Sequence, residues 1–153
     1  MSILYFLHSI LRWAVLLFGV WAILNAISGL SSKRNYASSD KKIGLFFLIS
    51  ADIQLLIGLI LYFTGPWFAA LKNNAGAIMK DATGRFFAVE HMSMMIVAIA
   101  AIHIGYSATK KATTDNSKHK KSLIFFAIAL IIILAAIPWP FREAIARPLL
   151  RGL

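Results

Sequence analysis

Four long apolar runs, at about 3–28, 43–65, 86–108 and 122–138, alternate with short polar stretches along the chain. Each approaches the roughly 20 residues an α-helix needs to cross a hydrocarbon core about 30 Å thick. Backbone groups inside hydrocarbon must be satisfied internally, which leaves helices or closed barrels, and these runs are too long and continuous for barrel strands. The pattern predicts an all-α, four-helix transmembrane bundle, up-down-up-down, with residues 1–153 forming a single integral membrane domain. The first run lacks a basic leader and a clear small-residue cleavage site, so it is expected to be an uncleaved span. Gly65-Pro66 ends the second run, because proline cannot continue the hydrogen-bond ladder. The stretch "WFAALKNNAGAIMK" that follows is expected to lie along the interface as a short amphipathic helix, with Trp67 and Phe68 in the headgroup belt. Pro138 and Pro140, in "IPWPF", stop the fourth run.

Composition agrees with this pattern: 59% of the residues are hydrophobic and 14% charged, where a soluble domain is nearer a quarter charged. The formal net charge of +10 is carried mostly by the connections between spans. Lys33, Arg34, Lys41 and Lys42 lie in the first loop and Lys110, Lys111, Lys118, Lys120 and Lys121 in the third. Lys72, Lys80 and Arg85 lie in the middle loop and Arg142, Arg147 and Arg151 in the tail. Nine basic residues against six place the odd loops in the cytoplasm and both termini in the periplasm of a bacterial inner membrane. Lysines so placed set topology and meet anionic headgroups, so nucleic acid is not an expected partner. The absence of cysteine excludes disulfides, thiolate catalysis, iron–sulfur clusters and covalent haem attachment.

The polar residues inside the spans carry the candidate chemistry. A charge near mid-membrane costs at least about 2.5–3.5 kcal/mol, so such residues face the bundle interior and find partners. His8 and Arg12, four apart, share a face of the first helix. His91 enters the third helix at about the depth of His8, with Glu90 beside it and Met94 and Met95 on its face. Arg12 is the expected partner of Glu90, which would then orient His8. Asp52 is expected to pair with His103, or with a backbone or serine donor, while Gln54 points away from Asp52 on the second helix.

His8 and His91, from two helices at matching depth, suit the axial ligands of one b-type haem, with Arg12 and Glu90 behind them. Arg85, Arg142 and Arg147 would meet its propionates, and Trp13, Phe86, Phe87, Met94 and Met95 could pack the porphyrin. The competing reading makes the same histidines and the Arg12–Glu90 pair interhelical polar contacts. Asp52, Gln54 and His103 are either a quinone or proton path, or contacts between helices. His119, among lysines, is read as a solvated loop residue and not a ligand. Three histidines in the spans are too few for a four-histidine, two-haem relay.

The segments "LHSILRW" at 7–13, "IQLLIGLILYF" at 53–63, "RFFAVEHMSMM" at 85–95, "IPWPF" at 137–141 and "RP" at 147–148 together resemble a family of small bacterial four-helix inner-membrane proteins labelled cytochrome-b-like, over nearly the full length. The resemblance implies haem b and membrane electron transfer, and points to His8, Arg12, Gln54, Arg85, Glu90, His91 and Arg147. Two function classes therefore lead. One is an electron-transfer protein or subunit with a single bis-histidine haem, served by quinol or other respiratory-chain subunits. The other is a cofactor-free accessory or scaffold subunit of a homo- or hetero-oligomeric membrane complex. A proton-coupled transporter module using Asp52, Glu90 and His103 is a third; four helices without a repeat speak against it standing alone. No catalytic nucleophile constellation is present.

Overall fold

The computed structural model describes residues 2–150, which leaves Arg151 outside. It is all-helical: α1 (Ser2–Ser31), α2 (Ser38–Thr64), α3 (Pro66–Asn73), α4 (Ala75–Lys80), α5 (Ala82–Lys111) and α6 (Asp115–Ala136), followed by an irregular tail. α1, α2, α5 and α6 are long and apolar enough to cross a membrane. α1 packs on α2 and α6, and α5 on α2 and α6, so α1 and α5 oppose each other across the diagonal of the bundle.

Helix ends follow capping chemistry more than the limits of the apolar runs. Ala37 opens α2, and its own N–H is taken by the Asp40 carboxylate at 2.7 Å. An alanine has no side chain to return the bond, so only half of a capping box forms. Thr114 caps α6 by accepting from the Ser117 N–H at 3.2 Å. α6 therefore begins seven residues before the apolar run and takes up most of the third lysine-rich stretch. Lys33 turns the chain out of α1 with φ 52°.

Small residues let the helices approach closely, as membrane bundles require. Gly19, Ala22, Ala26 and Gly29 repeat every three or four positions on the buried face of α1. A Cβ on Gly19 would sit 2.9 Å from the Phe47 ring, which is fully buried. Phe47 meets Phe126 edge-on at 5.5 Å. The outer surface is the inverse of a soluble protein's: Leu17, Leu56 and Ile131 are more than 60% exposed. Soluble monomers rarely expose contiguous apolar surface on that scale, so the bundle is built to face lipid.

Candidate functional site

The end of the bundle where α1 begins gathers His8, Arg12, Gln54, Glu90 and His91, with Arg142 and Arg147 of the tail. His8 and His91 reach toward each other from the diagonally opposed α1 and α5, with ring centroids 6.4 Å apart and planes inclined by 67°. No hydrogen bond joins them among the described residues. His91 donates from Nδ1 to the Ala136 carbonyl at 2.8 Å. A carbonyl can only accept, so the proton sits on Nδ1 and Nε2 keeps its lone pair.

That carbonyl is free because α6 stops there. The last carbonyls of a helix have no intrahelical donor, and Pro138 and Pro140 bring none. Side chains supply them instead: Trp139 Nε1 to Leu134 O at 2.9 Å, Arg142 Nη1 to Ala135 O at 2.7 Å, and His91 to Ala136 O. The tail then folds back over α1, where Arg12 Nη2 and Trp13 Nε1 both donate to Leu149 O.

The expected Arg12–Glu90 pair does not form. Glu90 Oε1 instead accepts from Arg85 Nε at 2.7 Å. The cause is a π-helical turn over Phe86–Glu90 within α5. In an α-helix, residues five apart point about 140° away from each other. A turn with i→i+5 bonding stacks them. Glu90 is thus spent on Arg85 and does not orient His8. Tyr62 Oη donates to the Ala88 carbonyl within the turn at 2.8 Å, tying it to α2.

Gln54 belongs to this end and not to the inner pair: its Nε2 donates to the His8 carbonyl at 2.8 Å. Gly58, one turn on, lies against the His8 ring, and a Cβ there would come 3.2 Å from His8 Cε1. Three buried polar atoms converge here without a partner among the described residues: His8 Nδ1, Arg12 Nε and Gln54 Oε1. Buried polar atoms nearly always have partners, so these three are the polar atoms at this end open to a bound group. Arg142 lies 5.1 Å over the Phe86 ring and Arg147 4.4 Å over Phe87; neither forms an ion pair among the described residues. Phe86, buried, also packs on His91 at 5.8 Å.

The expected inner pair is present. His103 Nε2 lies 2.8 Å from Asp52 Oδ1 across the α2–α5 seam, and both side chains are well exposed, at 50% and 38%.

His119 is not in a solvated loop. It is 1% exposed, inside the extended α6. Its ring fills the gap left by Gly29, where any Cβ would overlap it, and lies 5.0 Å from the Tyr36 ring. Both ring nitrogens lack a partner among the described residues. They border a cavity of about 10 Å³ shared with Asn25, Asp40 and Ser122, room for roughly one water. Beside it, Asp40 accepts from both Arg34 Nη atoms at 2.7 Å and from Asn25 Nδ2 at 2.6 Å. That carboxylate bonding raises the Arg34 pKa above its ordinary value, and burial raises that of Tyr36. The signal missed in the sequence was the Gly29 gap, which only the helix pairing reveals.

No group of three or more metal-ligating side chains of the usual kinds occurs among the described residues. Comparison of the chain with protein-family models, with curated proteins and with solved structures gives no match.

Proposed function

We propose that this protein is a b-type cytochrome-like electron carrier of a bacterial inner membrane, with one haem held between His8 and His91. The observation that carries the reading is the opposed histidine pair. Two imidazoles bound through nitrogens about 2 Å from one metal place their ring centroids roughly 6 Å apart, and the observed separation is 6.4 Å. The residues around the pair fit such a group. The Ala136 carbonyl fixes the His91 tautomer that leaves Nε2 free to ligate, a common arrangement for metal-bound histidine. The unpartnered atoms of His8, Arg12 and Gln54 supply polar surface still to be satisfied. Arg142 and Arg147, without a carboxylate partner among the described residues, suit propionates, and Phe86 offers an apolar wall.

Haem, when bound, supplies the one-electron chemistry, and the protein tunes it through ligand type and burial. The chain's own part is to orient. Gln54 holds the His8 turn of α1 against α2, Gly58 leaves room for the ring, and Arg12 sets positive charge beside both imidazoles. Quinol is the proposed electron donor, with the exposed Asp52–His103 pair as the contact for its hydroxyl. A cofactor-free scaffold subunit is the second reading. It is favoured by the way backbone carbonyls at 134–136 and 149 already satisfy much of this polar cluster.

The test is a reduced-minus-oxidised visible spectrum of the full chain, purified in detergent after expression with haem available. A sharp α-band, lost in both His8→Ala and His91→Ala and kept in Lys72→Gln, supports the reading. A colourless but helical wild-type protein overturns it in favour of the scaffold.

A further inference from the structure

At the opposite, lysine-rich end, a groove of about 270 Å³ opens among the α1–α2 connection, α2, α5 and the start of α6, lined by Tyr36, Lys41, Tyr106, Thr109, Lys110 and Lys118 together with the first turn of α2. No carboxylate lines it. Asp40, the nearest acid in sequence, is turned inward and bound by Arg34 and Asn25. Lys110 Nζ is held 5.8 Å over the Tyr106 ring and Lys118 Nζ 5.7 Å over the Tyr36 ring. Lys118 also meets Asp115 at 3.6 Å, while Lys41 and Lys110 form no ion pair among the described residues. The two tyrosines thus position ammonium groups at the rim, and the α2 N-terminus adds the positive end of a helix dipole.

We infer that this groove is a binding site for the phosphodiester headgroup of an anionic phospholipid. Three features select that occupant. Every charged side chain that lines the groove is a lysine. Its size suits a headgroup and falls below the range usual for drug-sized ligands. It also opens where two apolar spans end, so acyl chains would continue along the apolar outer face of α2, past exposed Ile49. Basic pockets between membrane helices take anionic headgroups in this way. The inference is independent of whether His8 and His91 hold haem.

The experiment is a thermal-unfolding titration of the full chain in an uncharged detergent with short-chain phosphatidylglycerol, short-chain phosphatidylcholine or inorganic phosphate. Phosphatidylglycerol is expected to raise the midpoint saturably, while the other two leave it unchanged at equal concentration. The triple variant Lys41→Gln, Lys110→Gln, Lys118→Gln is expected to weaken the apparent phosphatidylglycerol affinity roughly 100-fold, at about fivefold per lysine. The neighbouring set Lys42→Gln, Lys111→Gln, Lys120→Gln should stay close to wild type. If the triple variant loses its helical circular dichroism, Lys110→Gln alone should weaken binding about fivefold. Equal stabilisation by inorganic phosphate would show a free-anion site, and equal stabilisation by phosphatidylcholine a general lipid effect. Equal weakening by the neighbouring set would show diffuse surface charge. Each of these three results overturns the inference.

Discussion

Asp40 is the most constrained acid in the molecule, and its removal gives a quantitative test of the fold. Its side chain is 2% exposed and accepts from Arg34 twice, from Asn25 and from the Ala37 N–H. Asp40→Ala removes the shared acceptor of the Asn25 amide and the Ala37 N–H and leaves Arg34 with only the Asn25 and Asn35 oxygens. Breaking one side of a buried ion pair costs about 3–5 kcal/mol. The Arg34 side chain keeps 32% of its exposure and can turn toward water or headgroups, which brings the expected loss down to about 2–3 kcal/mol. Unfolding in mixed micelles, followed by circular dichroism as the denaturing detergent fraction rises, reads that loss. A double-mutant cycle with Arg34→Leu isolates the pair, and a coupling of at least about 1 kcal/mol is expected. Coupling within about 0.5 kcal/mol of zero would refute the claim that the two side chains hold the α1–α2 connection together. The pH dependence has a definite sign. The folded-state pKa of Arg34 is raised, so its contribution is fully present below the ordinary arginine range and is lost only as pH rises beyond it. The pair should therefore show no alkaline loss of stability, from the arginine side, anywhere in the usable range.

Gly29→Ala places a Cβ inside the His119 ring and is expected to destabilise the bundle by about 1–3 kcal/mol, as overpacking does. His119→Ala in the same chain should recover most of that loss in the same micelle unfolding assay, and no recovery would show that the two positions are not in contact. Lys33→Gly relieves a left-handed residue at the end of α1 and is expected to stabilise by up to about 1 kcal/mol. An unchanged or lowered midpoint would show that the lysine side chain contributes more than its backbone conformation costs.

Much of the architecture was legible in the sequence because hydrocarbon imposes a single rule on the backbone. Four apolar runs of spanning length could only be helices, and α1, α2, α5 and α6 are those helices. Matching depth alone placed His8 near His91 and Asp52 near His103, since helical rise is fixed and the connections force alternating directions. What the sequence could not carry was rotation about each helix axis and the extent of the helix ends. The π-turn at Phe86–Glu90 changed the angular register of α5 locally and moved Glu90 from Arg12 to Arg85. A single inserted turn of that kind costs too little to leave a compositional signature. Thr114 started α6 ahead of the apolar run and carried His119 from an expected loop into the core, because capping and packing, not hydropathy, decide where a helix begins. Gln54 was paired with the His8 carbonyl by the α1–α2 approach. Sequence alone therefore determined the four spanning helices and the level along them of His8, His91, Asp52 and His103, while the stretch after Gly65, read as one helix, is two, broken where Asn74 caps α4. The tertiary structure decided which of those residues meet, because contact depends on helix rotation and on the small-residue surfaces that let two helices close.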